Sequence, residues 1–379
     1  MPRDFEYIDE QEHLETIFPH LEGMTRIAVD TEADSLHHYF EKVCLIQISA
    51  GGRHFIVDPL AKLDLAGLMD IFSRHELIFH GADYDLRMLR MSFDFEPQAE
   101  VFDTMLAGQL LGFEQFGLAA LVQHYFDVEL PKGGQKWDWS RRPLPEKYLS
   151  YAADDTRYLE ELAARMEADL LEKGRREWHR EWCREVVEAS ASNKEPDPER
   201  EWRIKGYANL DRKDMALLRE LWYWRDGESR SADLPPFKIL NNSQLLGIVQ
   251  WLSENPQEPP ANCPDLPKNC RGRRLRDINE AVKKGRSLPK SEWPPARIKG
   301  GKYPTRSKED EALMHRMKQK RDELAKDLEL PPPLLANKAA LMSISAQRPI
   351  TEEAMIKSGN LMRWQGKLLA EHWLSLLQD

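Results

Sequence analysis

Cysteine is scarce in this chain. The 379 residues include only Cys44, Cys183, Cys263 and Cys270. Four thiols so spread make no disulfide framework and suit a reducing compartment. Cys263 and Cys270 lie close, but no matching Cys or His pair completes a zinc ligand set. Long apolar runs are also lacking: none reaches the roughly 18 residues expected of a membrane span. The opening Met1-Pro2-Arg3-Asp4-Phe5-Glu6 has no apolar stretch and does not read as a signal peptide. At 41% hydrophobic and 31% charged residues, the composition is that of an ordinary water-soluble protein. The expectation is a cytoplasmic monomer with no membrane partner.

Charge is unevenly spread. Residues 1–190 carry 20 Lys and Arg against 37 Asp and Glu, whereas residues 191–379 carry 34 against 27. An acidic half suited to collecting cations precedes a basic half suited to a polyanion. The length allows two or three domains.

The acidic half reads as α/β, a mixed sheet flanked by helices. Apolar runs at 26–30, 43–49, 54–58 and 76–80 predict strands, the middle two joined by the hairpin signal Ala50-Gly51-Gly52-Arg53. Helical spacing marks 63–73, a segment after Asp83 with that acid as its cap, 103–111 and 118–125. A loop from Lys132 to Leu144 precedes a long helix predicted from about Pro145 to about 185, with Leu149, Ala152, Ala153, Leu159, Leu162, Ala163 and Met166 on one stripe. The polar stretch 190–201, with Pro196 and Pro198, is a linker candidate.

Strand signals then vanish and an internal repeat begins. Leu234-Pro235-Pro236 and Asn241 recur as Leu330-Pro331-Pro332 and Asn337, an offset of 96. The same offset pairs Leu217 with Leu313, Leu221 with Met317, Arg225 with Arg321 and Asp226 with Asp322, without a gap. That period is too long for a solenoid. It describes two copies of a small helical domain, joined by a connector rich in Pro, Lys and Arg at 287–308. The boundaries expected are 1–190 for the α/β domain, and 206–289 and 305–379 for the two all-α domains.

Four acids from three segments are the candidate chemistry. Asp30 and Glu32 stand two apart at the end of a strand, so both side chains take one face. Tyr151 and Asp155 stand four apart on a helix and share a face, while Asp154 points elsewhere. Asp83 and Asp85 compete for the remaining position. Asp83 stands where a helix cap is expected, and Asp85 lies in the first turn on the side that faces Asp30. Asp103 opens another helix and reads as its cap. Hard divalent cations take oxygen ligands. A pair of them about 4 Å apart holds the attacking and leaving oxygens of a phosphoryl displacement. A phenol at Tyr151 is placed to aim a water molecule.

The order Asp-x-Glu, then Tyr84-Asp85, then Tyr-x-x-x-Asp resembles the DEDD exonuclease superfamily, in the subgroup with a tyrosine in the last motif. The loop holding Trp139, Arg142, Pro143 and Leu144 ahead of Tyr151 is similar to the ribonuclease D branch. The Leu-Pro-Pro repeat resembles the HRDC domain. The resemblance implies a ribonuclease H-like fold followed by two HRDC helical bundles. It implies a 3′–5′ exoribonuclease that trims tRNA precursors and other structured RNAs to nucleoside 5′-monophosphates. Asp30, Glu32, Asp85 and Asp155 would hold two Mg²⁺ or Mn²⁺ ions, and Tyr151 would orient the nucleophilic water. A DNA exonuclease of the same superfamily and a non-catalytic RNA-binding protein are the alternatives.

Basic and aromatic residues suit an RNA partner. Arg271, Arg273, Arg274, Arg276, Lys283, Lys284 and Arg286 cluster near the end of the first repeat, and Arg297, Lys299, Lys302, Arg306 and Lys308 populate the connector. Such residues grip phosphates. Trp137, Trp139 and Arg142, around the loop before Tyr151, are candidates to stack on or contact unpaired nucleotides.

Overall fold

Six strands form one sheet: β1 (Glu6–Ile8), β2 (Arg26–Ala33), β3 (Val43–Ala50), β4 (Arg53–Val57), β5 (Glu76–Phe79) and β6 (Val101–Asp103). The computed structural model describes residues 4–131, 133–191, 197–296 and 307–378. The spatial order is β1-β4-β3-β2-β5-β6. β2, β3 and β4 form an antiparallel meander, and β1, β5 and β6 add in parallel at its two sides. β1 and β6 were invisible to the sequence reading, because three residues are too few to show an alternation.

Two sets of helices cover the sheet. Ile27, Val29, Ile46, Ile48, Phe55 and Val57 face one way, into a core shared with α1 (Gln11–Glu22), α2 (Ala66–Arg74) and α3 (Ala82–Phe93). Ala28 and Ile78 face the other way, toward α4 (Thr104–Leu111), α5 (Leu118–Phe126) and α7 (Leu159–Glu172). On this second side Leu45 and Ile56 meet Leu149, Ala152 and Ala153 of α6 (Glu146–Arg157). The single long helix expected from 145 is three helices, α6, α7 and α8 (Arg176–Ser190). The stripe is continuous, but Gly174 at φ 67° turns the backbone between the last two.

The cap predicted at Asp83 is also revised. Gly81, at φ 88°, is the cap residue of α3, and Asp83 lies inside the first turn, paired with Arg87 at 2.9 Å. Asp103 caps α4 as expected, accepting from the Met105 and Leu106 amides. It also accepts from the amides of Gly81 and Ala82 at 3.0 and 2.8 Å, so one buried carboxylate serves the starts of two helices.

The chain separates into two compact units. One contains residues 34–42 and 193–302, the other everything else. The smaller unit holds α9 (Pro198–Glu201), α10 (Arg212–Ala232), α11 (Pro236–Ile239), α12 (Asn242–Glu254) and α13 (Arg273–Ser287). Within it, Asp233 accepts from the Tyr39 amide and from His38 Nδ1 at 3.0 and 2.7 Å, which ties the segment after β2 to the end of α10. The larger unit ends in α14 (Lys308–Asp327), α15 (Pro332–Leu335), α16 (Lys338–Gln347), α17 (Glu352–Gly359) and α18 (Arg363–Gln378). These share a core with α4 and α7, and Trp178 of α8 stacks on Trp364 at 4.6 Å.

The repeat read at offset 96 is visible in matching contacts. Arg225 donates to the Leu240 carbonyl at 2.9 Å, and Arg321 donates to the Ala336 carbonyl at 2.7 Å. Asn241 caps α12 as Asn337 caps α16. Asp211 and Ser307 cap α10 and α14. Asp233 and Glu329 both take positive φ after the first long helix, at 47° and 53°. The replacement of Phe237 by Pro333 costs no core contact, because Phe237 is exposed, and Ile239 and Leu335 are both buried.

Candidate functional site

Strand β2 sets the first two ligands. Its alternation sends Ile27 and Val29 into one core and Asp30 and Glu32 to the opposite face. A register shift between Glu32 and Ala33 breaks the ladder just past the acids. Helix α6 runs over that face and adds Asp155. One carboxylate oxygen each from Asp30, Glu32 and Asp155 lie within 4.8 Å of one another.

Asp85 comes from the first turn of α3 and is 5% exposed. Its Oδ1 accepts from the Thr31 amide at 3.0 Å and from the Thr31 hydroxyl at 2.6 Å. Thr31 lies between Asp30 and Glu32, so these bonds anchor Asp85 to the strand that carries the other acids. Asp83 is exposed and occupied by Arg87. The expected ligand Asp85, and not Asp83, is the one joined to the strand that carries Asp30 and Glu32.

The electrostatics are those of a site built for cations. Burial pushes Asp30 and Glu32 well above the usual carboxylate range, and the neighbouring acids push the same way. Asp85 is raised to about 7 by burial, against the opposing pull of its Thr31 bonds. Asp155 is raised to about 7 by burial and then by the charges of Asp154 and Asp85. Every donor in the cluster is a carboxylate oxygen, the ligand type of Mg²⁺ and Mn²⁺. Positive charge placed among these groups relieves both the repulsion and the desolvation, so the residues fit a divalent metal centre.

Tyr151 stands one turn before Asp155. Burial raises its phenol above the ordinary value, and Asp155, Glu32 and Asp30 raise it further, while a hydrogen bond from Gln135 opposes them. The phenol is therefore protonated at neutral pH and is a hydrogen-bond donor rather than a base. Its ring is walled by the loop before α6. Trp139 stacks at 6.4 Å with an interplanar angle of 28°, and a Cβ added at Gly134 would lie 2.1 Å from the Tyr151 ring.

Two nucleotide-contact expectations are corrected. Trp139 is 1% exposed, packed against Tyr148 and Tyr151, so no face is open to a base. Arg142 spends all five of its donors inside the protein. They go to Asp58 through two bonds of 2.6 Å, and to the carbonyls of Trp139, Arg141 and Cys44. Burying a loop full of aromatics leaves carbonyls to satisfy, and Arg142 satisfies them. Trp137 is half-buried and stacks on Tyr148 at 4.0 Å.

The basic cluster of the smaller unit is divided. Arg273 and Arg274 both donate to the buried Glu228, and Lys284 pairs with the buried Glu220 at 2.6 Å. Among the described residues, no ion pair engages Arg271 or Lys283. Arg297, Lys299, Lys302 and Arg306 lie outside the described residues. The sequence reading missed Thr31, Gly134, Gln135 and Asp58. It also passed over Gln47, whose only signal was an amide in the otherwise apolar Val43-Cys44-Leu45-Ile46-Gln47-Ile48.

The chain is similar to known nucleases. A 3′–5′ exonuclease family model matches residues 5–171, and an HRDC domain model matches residues 214–258 and 310–377. Ribonuclease D of Nitrobacter hamburgensis is 31% identical over 71% of this chain and 72% of that protein. Ribonuclease D of Sphingobium indicum is 31% identical over 64% of this chain, a match that spans 61% of that relative's length. The crystal structure of Escherichia coli RNase D covers 99% of both chains with a TM-score of 0.73 at 22% identity, which shows a shared fold. The catalytic core of RRP6 from Trypanosoma brucei gives a TM-score of 0.62 at 28% identity, over 75% of this chain and 81% of that one.

Proposed function

The chain belongs to the ribonuclease D family of 3′–5′ exoribonucleases, and we propose that it shortens structured RNAs, tRNA precursors among them, from their 3′ ends to release nucleoside 5′-monophosphates. The observation that carries this reading is the approach of Asp30, Glu32 and Asp155 within 4.8 Å, with Asp85 anchored beside them through Thr31. Among the described residues no helix is long and apolar enough to cross a membrane.

Asp30, Glu32, Asp85 and Asp155 would hold two divalent ions, Mg²⁺ or Mn²⁺. Such ions, when bound, activate water and stabilise charge on the leaving oxygen. The protein's own groups do the rest. Asp85 is oriented by the two hydrogen bonds that its Oδ1 accepts from Thr31. Tyr151 keeps its proton and directs a hydrogen bond to the attacking water. The division of labour follows the expected domains, with residues 1–190 catalytic and the helical domains at 206–289 and 305–379 gripping folded RNA. Arg271 and Lys283, which no ion pair engages among the described residues, are the phosphate contacts of the first helical domain, while Arg273, Arg274 and Lys284 are held by Glu228 and Glu220.

A time course on a tRNA with extra 3′ nucleotides tests the reading, run with Mg²⁺, Mn²⁺ or EDTA. The expected result is a metal-dependent ladder shortening from the 3′ end, absent in Asp155→Asn. A matched DNA oligonucleotide shortened in preference to the RNA would transfer the activity to DNA. No shortening of either under any metal would leave only a binding protein.

A further inference from the structure

Gln47 lies in the middle of β3, directly opposite Asp30 of β2. Residues paired across an antiparallel ladder project from the same face. The next residue of β3 on that face, Ser49, hydrogen-bonds Thr156 of α6 at 2.8 Å. The preceding one, Leu45, packs with Ala152 and Ala153 of α6. Gln47 is thus enclosed between the strand that supplies Asp30 and the helix that supplies Asp155. It is 0% exposed, and neither amide atom has a hydrogen-bond partner among the described residues.

A buried amide with neither atom bonded is expensive. Each unsatisfied group costs about 1–3 kcal/mol, and native proteins keep such groups rare. An apolar side chain of the same size would fill the space between Leu45 and Ser49 without that cost. The group across the ladder from it is Asp30, a carboxylate of the candidate metal set crowded by Asp85, Asp155 and Glu32. The amide therefore has a use only when the site is loaded, as donor to a ligand carboxylate and acceptor from ordered water.

We propose that Gln47 is a positioning residue of the metal centre, its buried amide reserved for hydrogen bonds to the ligands and water of the cation-loaded site. This rests on the metal-centre reading above. Residues that orient metal ligands change metal affinity by about 10- to 100-fold when removed. The same removal from the metal-free protein deletes an unsatisfied amide. One substitution therefore acts with opposite signs in the two states.

The test is Gln47→Met, which keeps length and volume, with Gln47→Leu as a second variant and Ile48→Val on the opposite face as control. Mn²⁺ affinity is measured by titration calorimetry on the full chain, and thermal stability is measured in EDTA. The expected result is Mn²⁺ binding weakened by about 10- to 100-fold in both Gln47 variants, with a melting temperature in EDTA equal to or above that of the unsubstituted protein. Ile48→Val leaves Mn²⁺ affinity unchanged. Mn²⁺ affinity in either folded Gln47 variant within about twofold of the unsubstituted value would overturn the proposal. A lowered melting temperature in EDTA would do the same, because the amide would then be serving the empty fold. Failure of the unsubstituted protein to bind Mn²⁺ at all would instead overturn the metal-centre reading itself.

Discussion

Thr31 gives Asp85 two hydrogen bonds to one oxygen, at 3.0 Å from the amide and 2.6 Å from the hydroxyl. The residue between two metal-ligand candidates on β2 thereby fixes the orientation of a third on α3. Asp85→Asn should lower kcat by about 100-fold or more with the fold retained, whereas Asp83→Asn should leave kcat within about twofold. Thr31→Val keeps the amide bond and removes the hydroxyl one. It should cost about 1–3 kcal/mol in stability and lower Mn²⁺ affinity. Steady-state kinetics on one 3′-extended RNA separates the two aspartates, and equal losses at both would undo the assignment of Asp85.

The acids also destabilise the fold they occupy. Asp155 is raised to about 7 by burial and by Asp154 and Asp85. The folded protein therefore keeps protons that the unfolded chain releases at lower pH, and stability falls as pH rises through that value. In EDTA at pH 8, Asp155→Asn should be more stable than the unsubstituted protein by about 1 kcal/mol. Saturating Mg²⁺ should reverse the ranking, because only the intact site gains binding free energy. Thermal melts of both proteins with and without metal check this. A variant less stable in EDTA would mean Asp155 is structural.

Much of the fold and most of the candidate site were legible in the sequence, for identifiable reasons. Asp30 and Glu32 follow a strand pattern whose period puts both on one face. Tyr151 and Asp155 follow a helical period. The 96-residue offset was visible because Arg225 and Arg321 each satisfy a carbonyl inside their own bundle. What escaped were facts about pairing in space. Nothing local to Arg142 announces that Asp58 and three carbonyls will consume its donors. Nothing local to Trp139 distinguishes a buried ring from an exposed one. The breaks that divide the predicted long helix into α6, α7 and α8 fall within a continuous apolar stripe, where periodicity does not see them.

At Gly134 the wall around Tyr151 admits no side chain. A Cβ there would meet Cδ1 of the ring at 2.1 Å, and Trp139 stacks on the ring as well. Gly134→Ala should therefore displace the phenol and lower kcat by about 10- to 100-fold, with RNA KM and Mn²⁺ affinity little changed. The loss should vanish in a Tyr151→Phe background, since both changes act on one group. A loss of the same size in both backgrounds would show that Gly134 acts elsewhere.

Ion pairing ranks the basic residues proposed to contact RNA. Arg274 is held by buried Glu228 at 2.7 Å, whereas Arg271 and Lys283 have no ion-pair partner among the described residues. Arg271→Glu with Lys283→Glu should weaken tRNA binding and reduce the slope of log affinity against log salt by about 1–2. Arg274→Ala should instead lower stability, because Glu228 loses a partner. Filter binding at several salt concentrations, beside thermal melts, distinguishes them. An unchanged salt slope in the double variant would remove both residues from the interface.

His179 links stability to acid. Its ring is buried beside Phe102 with Nε2 bonded to the Asp103 carbonyl at 2.9 Å, and burial depresses it to about 4 against the Asp103 bond, which pulls upward. In the unfolded chain an imidazole takes its proton near pH 6.5. Between those values the unfolded state binds the extra proton, so the contribution of His179 is complete above about pH 6.5 and is lost as pH falls toward 4. The loss amounts to at most about 3 kcal/mol. His179→Gln retains a donor for the Asp103 carbonyl but does not titrate. Urea unfolding at pH 7.5, 6 and 5 should show the gap between the two proteins shifting in favour of the variant as pH falls. A gap independent of pH would mean that His179 takes up its proton in the folded protein as readily as in the unfolded one.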